Sequence, residues 1–506
     1  MTSSSTESAE PSRLLSRFEA LVAERPNAVA LLTDHESVTY AQLSQRARAI
    51  AHALREHAWA GRRIALLSTQ DSRWVEGFFG IALAGSVVVP LSHLHPEPER
   101  AWFVQESEAV AVLGSEDFAA DARACAGERP VFAIESLRST PTSSQAGRVQ
   151  NRETALILYT SGTTGKPKGA LITHGNLAWL AELVARAWEW NQADALLHAL
   201  PLHHLHGLGI SLFVSLLAGS PSRMLTRFDA ARMWEEMAHA TVLMGVPTMH
   251  KKLLDAFDAA DAPTRARWRE NARCLRLVTS GSAALPVSVG QRFAELTGSY
   301  PLERFGMTEI GVGLSNPLHG ARVPGSCGLP FPGMRIRIVR EDGTDAAPDE
   351  PGEIWIQGPT VFTAYDKNPV ATASAFVDGW FKSGDVATQN AAGYVKILGR
   401  TSVDILKSGG YKLSALEIEE VVRDIAGIAD VAVIGVPDET WGEIAVAVVI
   451  PQAGASLSEE AIRSYCKERI AAYKVPKRVI LVEDFPRNPV GKVIKPELAK
   501  RVRAAL

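Results

Sequence analysis

Eleven consecutive residues, Tyr159-Thr-Ser-Gly-Thr-Thr-Gly-Lys-Pro-Lys-Gly169, follow the apolar run Ala155-Leu-Ile-Leu158. Glycines at 162, 165 and 169 let the backbone come close to a polyphosphate. The hydroxyls of Thr160, Ser161, Thr163 and Thr164 can donate hydrogen bonds, and Lys166 and Lys168 can offset negative charge. These residue types in this order describe a phosphate-gripping loop after a strand. It is not a Walker loop, which needs Ser or Thr after its lysine, because Lys166 is followed by Pro167. A second polar group, Leu200-Pro-Leu-His-His-Leu-His-Gly207, sets His203, His204 and His206 beside an apolar run at 208–219.

Such a loop needs a sheet to carry it. With 506 residues the chain is roughly three to four times the size of an ordinary domain, so more than one core is expected. Hydrophobic residues at 46% and charged residues at 22% exclude disordered, collagenous and fibrous classes. The net charge of -3 lacks the basic excess of a nucleic-acid binder, so no nucleic-acid partner is expected. The four cysteines, Cys125, Cys274, Cys327 and Cys466, are too far apart for a zinc motif and too few to staple a chain of this length. The first eleven residues lack the basic and apolar regions of a signal peptide, and the apolar runs 78–91 and 208–219 are too short to cross a bilayer of about 18–20 residues' thickness. A cytoplasmic protein with no membrane partner is expected.

Residues 13–137 alternate helical and strand patterns. A helix is predicted from Thr39, a plausible N-cap, through Leu54, and strands at 64–67, 86–90 and 109–113. A linker at 139–147 leads to a second α/β region, residues 155–316, with strands at 241–244 and 275–279. From Gly352 the pattern turns to strands, at 353–357 and 394–398. The last hundred residues alternate helix and strand: helices at 415–425 and 458–470, strands at 431–434 and 444–450. The expected class is α/β: a large N-terminal domain of stacked α/β layers plus a β-rich subdomain, then a small mobile α+β C-terminal domain.

The loop at 159–169 resembles the signature of the adenylate-forming superfamily, which contains acyl-CoA synthetases, peptide-synthetase adenylation domains and luciferases. Four further motifs match in order: Ser280-Gly-Ser-Ala-Ala-Leu-Pro286, Arg304-Phe-Gly-Met-Thr-Glu309, Trp380-Phe-Lys-Ser-Gly-Asp385 with Gly399-Arg400, and Pro486-Arg-Asn-Pro-Val-Gly-Lys492. The resemblance implies ATP bound through Thr160, Ser161, Gly162, Thr163, Thr164 and Lys168, with adenine against Ser282, Ala283 and Ala284. It implies Thr308 on the α-phosphate, Glu309 on Mg²⁺, and Asp385 with Arg400 on the ribose. Arg304 belongs to the same nucleotide motif. Lys492 would hold the acyl carboxylate and α-phosphate during adenylation. A carboxylate suits a magnesium ion bridging ATP oxygens, and Asp385 suits a vicinal diol. The mobile unit, residues 401–506 after an AMP-binding domain of 1–400, would then swing about Ser402. Asp or Lys is more usual at that hinge position. The swing would bring in the CoA-binding loop of Ser408, Gly409, Gly410, Tyr411 and Lys412.

The resemblance further implies that His204 gates the thiol channel and that His206 faces the acid. Arg304 would place a cation at the acyl end. A dicarboxylate such as malonate or methylmalonate could use one carboxylate for adenylation and the other for a bidentate pair with it. Val246-Pro-Thr-Met249 and the motifs above are similar to malonyl-CoA and methylmalonyl-CoA synthetases. Those enzymes carry a second arginine where this chain has Lys252, which keeps the charge without the planar fork. The expected activity is an AMP-forming acid:CoA ligase, with ATP, Mg²⁺ and CoA as its reagents. Another short- or medium-chain acid, or a separate carrier protein as thiol acceptor, is the alternative.

Overall fold

The computed structural model describes residues 10–139, 148–160, 167–408, 411–438, 440–487 and 492–505. Ser161, Gly162, Thr163, Thr164, Gly409 and Gly410, named above as binding residues, lie outside the described residues. So do Gly165 and Lys166.

Two large sheets carry the N-terminal part. The first has seven strands in the order Ala364–Tyr365, Lys168–Thr173, Thr154–Thr160, Val87–Pro90, Arg63–Leu67, Ala111–Gly114 and Val131–Ala133. It is parallel from Thr154–Thr160 outward, and antiparallel where Thr154–Thr160 meets Lys168–Thr173. The second has nine strands, with Leu302–Phe305, Leu277–Ser280, Val242–Gly245, Leu196–His198, Ser222–Met224 and Val29–Leu32 running parallel through its middle. Parallel strands are buried on both faces, so they read as continuous apolar runs, as in Ala155-Leu-Ile-Leu158. Helices Tyr40–Arg55, Ser72–Leu83 and His174–Ala187 belong to one apolar core that reaches from Leu14 to Val395. The helix predicted from Thr39 is present, closed by a capping box in which Thr39 and Gln42 each accept the other's backbone N–H.

The β-rich part is a five-stranded antiparallel sheet, in which Trp380–Gln389 pairs with Gly352–Gln357, Phe376–Val377 and Val395–Arg400. The chain then enters a second, smaller unit. Its three-stranded sheet, Ile428–Asp438, Gly442–Pro451 and Arg478–Leu481, is covered on each face by its own apolar cluster. The fold is thus mixed α/β with a large N-terminal and a small C-terminal part. The helix predicted to 470 stops at Lys467, and a short 3₁₀ turn follows at Ala472–Lys474. One segment departs from any pattern legible in advance: His206–Leu212 forms a π-helix leading into Phe213–Ala218. No described helix is long and apolar enough to cross a membrane.

The helices Tyr40–Arg55 and Ser72–Leu83 approach each other closely at Gly80. A Cβ on Gly80 would lie 2.5 Å from Ile50 Cγ2 and 2.7 Å from Ile50 Cβ. Ile50 is β-branched and cannot turn away cheaply. Gly80→Ala should therefore lower the melting temperature through about 1–3 kcal/mol of overpacking, despite alanine's better helix propensity. A thermal melt showing an unchanged or raised midpoint would mean the two helices separate without cost.

Candidate active site

The strand Thr154–Thr160 delivers Thr160 to the rim of the first sheet, where its Oγ1 donates to Glu309 Oε1 at 3.4 Å. The phenol of Tyr365, from the edge strand Ala364–Tyr365, donates to the same oxygen at 3.0 Å. Glu309 is buried, and burial raises its pKa against the pull of these hydroxyls and of Arg400. A carboxylate in this position could hold a cation. The described residues hold no cluster of three ligating side chains. Lys168 Nζ lies 5.3 Å from the Tyr365 ring centroid, close beside the same group. Thr308 precedes Glu309 and is partly buried.

Asp385 and Arg400 face each other across neighbouring strands, with Arg400 Nε 3.3 Å from Asp385 Oδ1. Asp385 Oδ2 is buried and has no hydrogen-bond partner among the described residues. Burial pushes this carboxyl up to about 6, while Arg400 and Lys492 pull the other way. Lys492 keeps an exposed surface, yet its pKa is depressed, first by desolvation and then by Arg400, against the opposing charges of Asp404 and Asp385. The lysine of the small C-terminal part therefore stands within the electrostatic field of Asp385 and Arg400.

Arg304 stands on the strand Leu302–Phe305. Only 4% of it is exposed, and neither Nε nor Nη2 has a partner among the described residues. Burial alone pulls its pKa down to about 10. Room for the guanidinium comes from Gly281, where any Cβ would overlap it. The next residue, Ser282, takes φ +69°, a left-handed backbone that a serine adopts only under constraint. Its Oγ lies 3.1 Å from His206 Nδ1, while His206 Nε2 is buried without a partner. Burial, then the charge of Arg304, holds the His206 pKa well below its usual range. His204 is likewise pushed down to about 4 by burial, and its ring lies 4.2 Å from that of His203. These imidazoles are neutral at physiological pH, so Arg304 is not surrounded by further positive charge.

The structure thus brings Thr160, Glu309 and Lys168 together, Asp385, Arg400 and Lys492 together, and Ser282, His206 and Arg304 together. Ala283 and Ala284 follow Ser282 in an exposed turn. Lys252 does not join them. It is exposed on the helix Pro247–Ala259 with its ammonium 6.0 Å from the Phe228 ring, and no described contact links it to Arg304 or His206. Ser402 is exposed in the turn after Arg400. Ser408 is buried at the end of Ile405–Ser408, opposite Tyr411, with Lys407 opposite Lys412. Sequence reasoning missed Tyr365 and the part played by Gly281. Nothing in Thr363-Ala-Tyr365 signals a site. Gly281 was legible only as a turn residue, because its role depends on a side chain twenty-three positions away.

The AMP-binding enzyme family matches residues 18–366, and the AMP-binding enzyme C-terminal domain matches residues 417–492. Among curated relatives, the mitochondrial malonate–CoA ligase ACSF3 of Mus musculus is 39% identical, covering 94% of this chain and 88% of its own length. The probable CoA ligase CCL8 of Humulus lupulus is 37% identical, covering 87% and 80%. Among solved structures, ATP-bound MatB from Rhodopseudomonas palustris superposes with a TM-score of 0.91 at 32% identity, covering 98% of this chain and 99% of that one. With a family match over most of its length and CoA ligases among its relatives, the chain belongs to the AMP-binding enzyme family and is an acid–CoA ligase.

Proposed function

We propose that the acid is malonate or its methyl derivative, joined to CoA through an acyl adenylate. The observation that supports this best is the guanidinium of Arg304, buried and without a carboxylate beside it among the described residues. An unpaired buried charge costs several kcal/mol, and a ligand carboxylate is the simplest group to relieve it. A fatty or aromatic acid would leave Arg304 unpaired on binding. Malonate brings a second carboxylate of the right size for a bidentate pair, with the neutral His206 beside it as a further hydrogen-bond partner. Malonate–CoA ligases among the relatives support the same choice.

In the first half-reaction one malonate oxygen attacks the α-phosphorus of ATP and the bond to pyrophosphate breaks. In this proposal Thr308 and Lys492 hold the α-phosphate and the attacking carboxylate, and Lys492 offsets the charge that builds there. Glu309 would hold Mg²⁺, which when bound neutralises phosphate charge. Asp385 and Arg400 orient the ribose, and the exposed turn Ser282-Ala283-Ala284 receives the adenine. In the second half-reaction the CoA sulfur attacks the acyl carbon, AMP leaves and the thiol proton is released. His204 lines the thiol channel, and the hairpin of Ser408, Tyr411 and Lys412 receives CoA after the small C-terminal part turns about Ser402. Four free cysteines, Cys125, Cys274, Cys327 and Cys466, fit a reducing compartment, and the cytoplasm is the proposed location.

Two outcomes follow from these roles. Arg304→Ala should lower malonate-dependent release of AMP and pyrophosphate by at least about 10²-fold, the scale of an uncompensated buried carboxylate. Gly281→Ala, which pushes the guanidinium aside, should do the same. Unchanged turnover with malonate, or ADP in place of AMP, would reject the proposal. Separately, Asp385 accepts diol hydrogens fully only when ionised. Affinity for adenosine, which has no phosphate to titrate, should therefore weaken as pH falls through about 6, the level to which burial lifts this carboxyl. In Asp385→Asn, calorimetric titration should find the affinity weak and flat over the same range. A wild-type affinity that does not change between pH 5 and 8 would contradict the diol role.

A further inference from the structure

At the start of the small C-terminal part lies an ion-pair cluster, centred on the buried Lys495, that the chemistry above does not use. Asp404 follows Arg400 by four residues and folds back on it. Its Oδ2 accepts the Arg400 N–H at 3.1 Å, and its own N–H donates to the Arg400 carbonyl at 2.8 Å. Ser402 lies inside the ring so closed. The other oxygen of Asp404 takes the Lys495 ammonium at 2.6 Å. Lys495 pairs in turn with Glu419 at 2.7 Å, and Glu419 accepts the Val433 N–H at 2.8 Å. Lys495 and Glu419 are both buried. Gly399, at φ +128°, is the only residue type that fits beside this arrangement, since a Cβ there would overlap Asp404.

The ends of this chain of contacts are what give it meaning. One end is the backbone of Arg400, whose side chain faces Asp385. The other is Lys495, which opens the helix Lys495–Ala505 three residues after Lys492. The charges of Asp404 and Lys495 both reach Lys492. A buried ion pair is poor at adding net stability, because desolvation consumes most of its Coulomb energy. Its best-attested use is to fix one arrangement over another. Here what it fixes is the Asp404 carboxylate: Asp404, Lys495 and Glu419 all belong to the small C-terminal part, and the contacts that cross Ser402 are the two Arg400–Asp404 hydrogen bonds. Rotation of the backbone at Ser402 must break the two Arg400–Asp404 hydrogen bonds, because they bridge that residue.

We propose that Asp404 and Lys495 are positioning residues: Lys495 holds the Asp404 carboxylate, which clasps the turn at 400–404 shut, and the closed turn keeps Lys492 on the side of Asp385 and Arg400 for adenylation. The clasp opens when the small C-terminal part turns for thioester formation. This rests on the adenylation role proposed for Lys492. It adds two residues that touch no substrate yet decide which half-reaction the enzyme is set for.

The test uses the full-length enzyme and three variants, Asp404→Asn, Lys495→Met and Lys495→Arg, with two readouts. Brief trypsin treatment without substrates, followed by mass spectrometry of the new terminus at Thr401, reports how open the turn is. Malonate-dependent ATP–pyrophosphate exchange is then compared with single-turnover transfer to CoA from enzyme-bound adenylate accumulated beforehand. Asp404→Asn and Lys495→Met should be cut after Arg400 about tenfold faster, and should lose about tenfold in exchange while transfer changes little, the scale of one charged hydrogen bond. Lys495→Arg should stay near wild type in both. Because Asp404→Asn is isosteric, it keeps the test open if Lys495→Met fails to fold. Cleavage at Arg400 no faster than wild type in Asp404→Asn would overturn the clasp. Equal losses in exchange and transfer would overturn the positioning role and leave only a structural one. If wild-type enzyme shows no exchange with malonate while cleavage still separates the variants, the clasp stands and the choice of acid is what fails.

Discussion

A guanidinium taken out of water with no carboxylate beside it is the costliest group in this site, and much of the surrounding structure can be understood as holding it there. Arg304 needs Gly281 beneath it, and the backbone must then turn through the strained Ser282 to regain the surface. Ser282 in turn holds His206, whose neutral ring leaves the positive charge of Arg304 undiluted but also uncompensated. The π-helix at His206–Leu212 begins at that histidine, a local irregularity of the kind that collects at functional sites. None of these features improves the stability of the empty protein. Each becomes intelligible if the missing carboxylate belongs to a substrate.

The rest of the site follows the same logic on a smaller scale. Glu309 and Asp385 are carboxyls that burial makes reluctant to ionise, and in the proposed reaction a cation and the ribose hydroxyls would relieve them. Lys492 is an ammonium that desolvation and Arg400 make reluctant to stay protonated. The large part of the molecule supplies the carboxyls and the small part supplies the lysine. The overall charge of -3 says nothing of this local placement.

Much of this was legible in the residues themselves. The apolar run before Tyr159, the N-cap at Thr39 and the strand alternation of the C-terminal part all depend on near neighbours, and the structure bears them out. The motifs around Arg304, Glu309, Asp385 and Lys492 could be picked out because each is short and contiguous. What stayed hidden depends on contacts distant in sequence. Tyr365 reaches Glu309 from an edge strand, and Gly281 matters only because Arg304 crosses it. Asp404 and Lys495 are ordinary charged residues until the turn at 400–404 brings them together. Lys252, the second cation that sequence position suggests for the acid, lies exposed on its helix with its ammonium near the Phe228 ring.

The central claim is that Arg304 is completed by a second carboxylate on the acid. The most direct measurement is the ratio of kcat/KM for malonate to that for its monomethyl ester, with wild-type enzyme, saturating ATP and CoA, and AMP as the product followed. The ester has nearly the same shape and the same reacting carboxylate but offers Arg304 no charge. Malonate should be preferred by at least about 10²-fold, since the ester leaves the buried guanidinium unpaired. Equal kcat/KM for the two acids, or a preference for the ester, would contradict it.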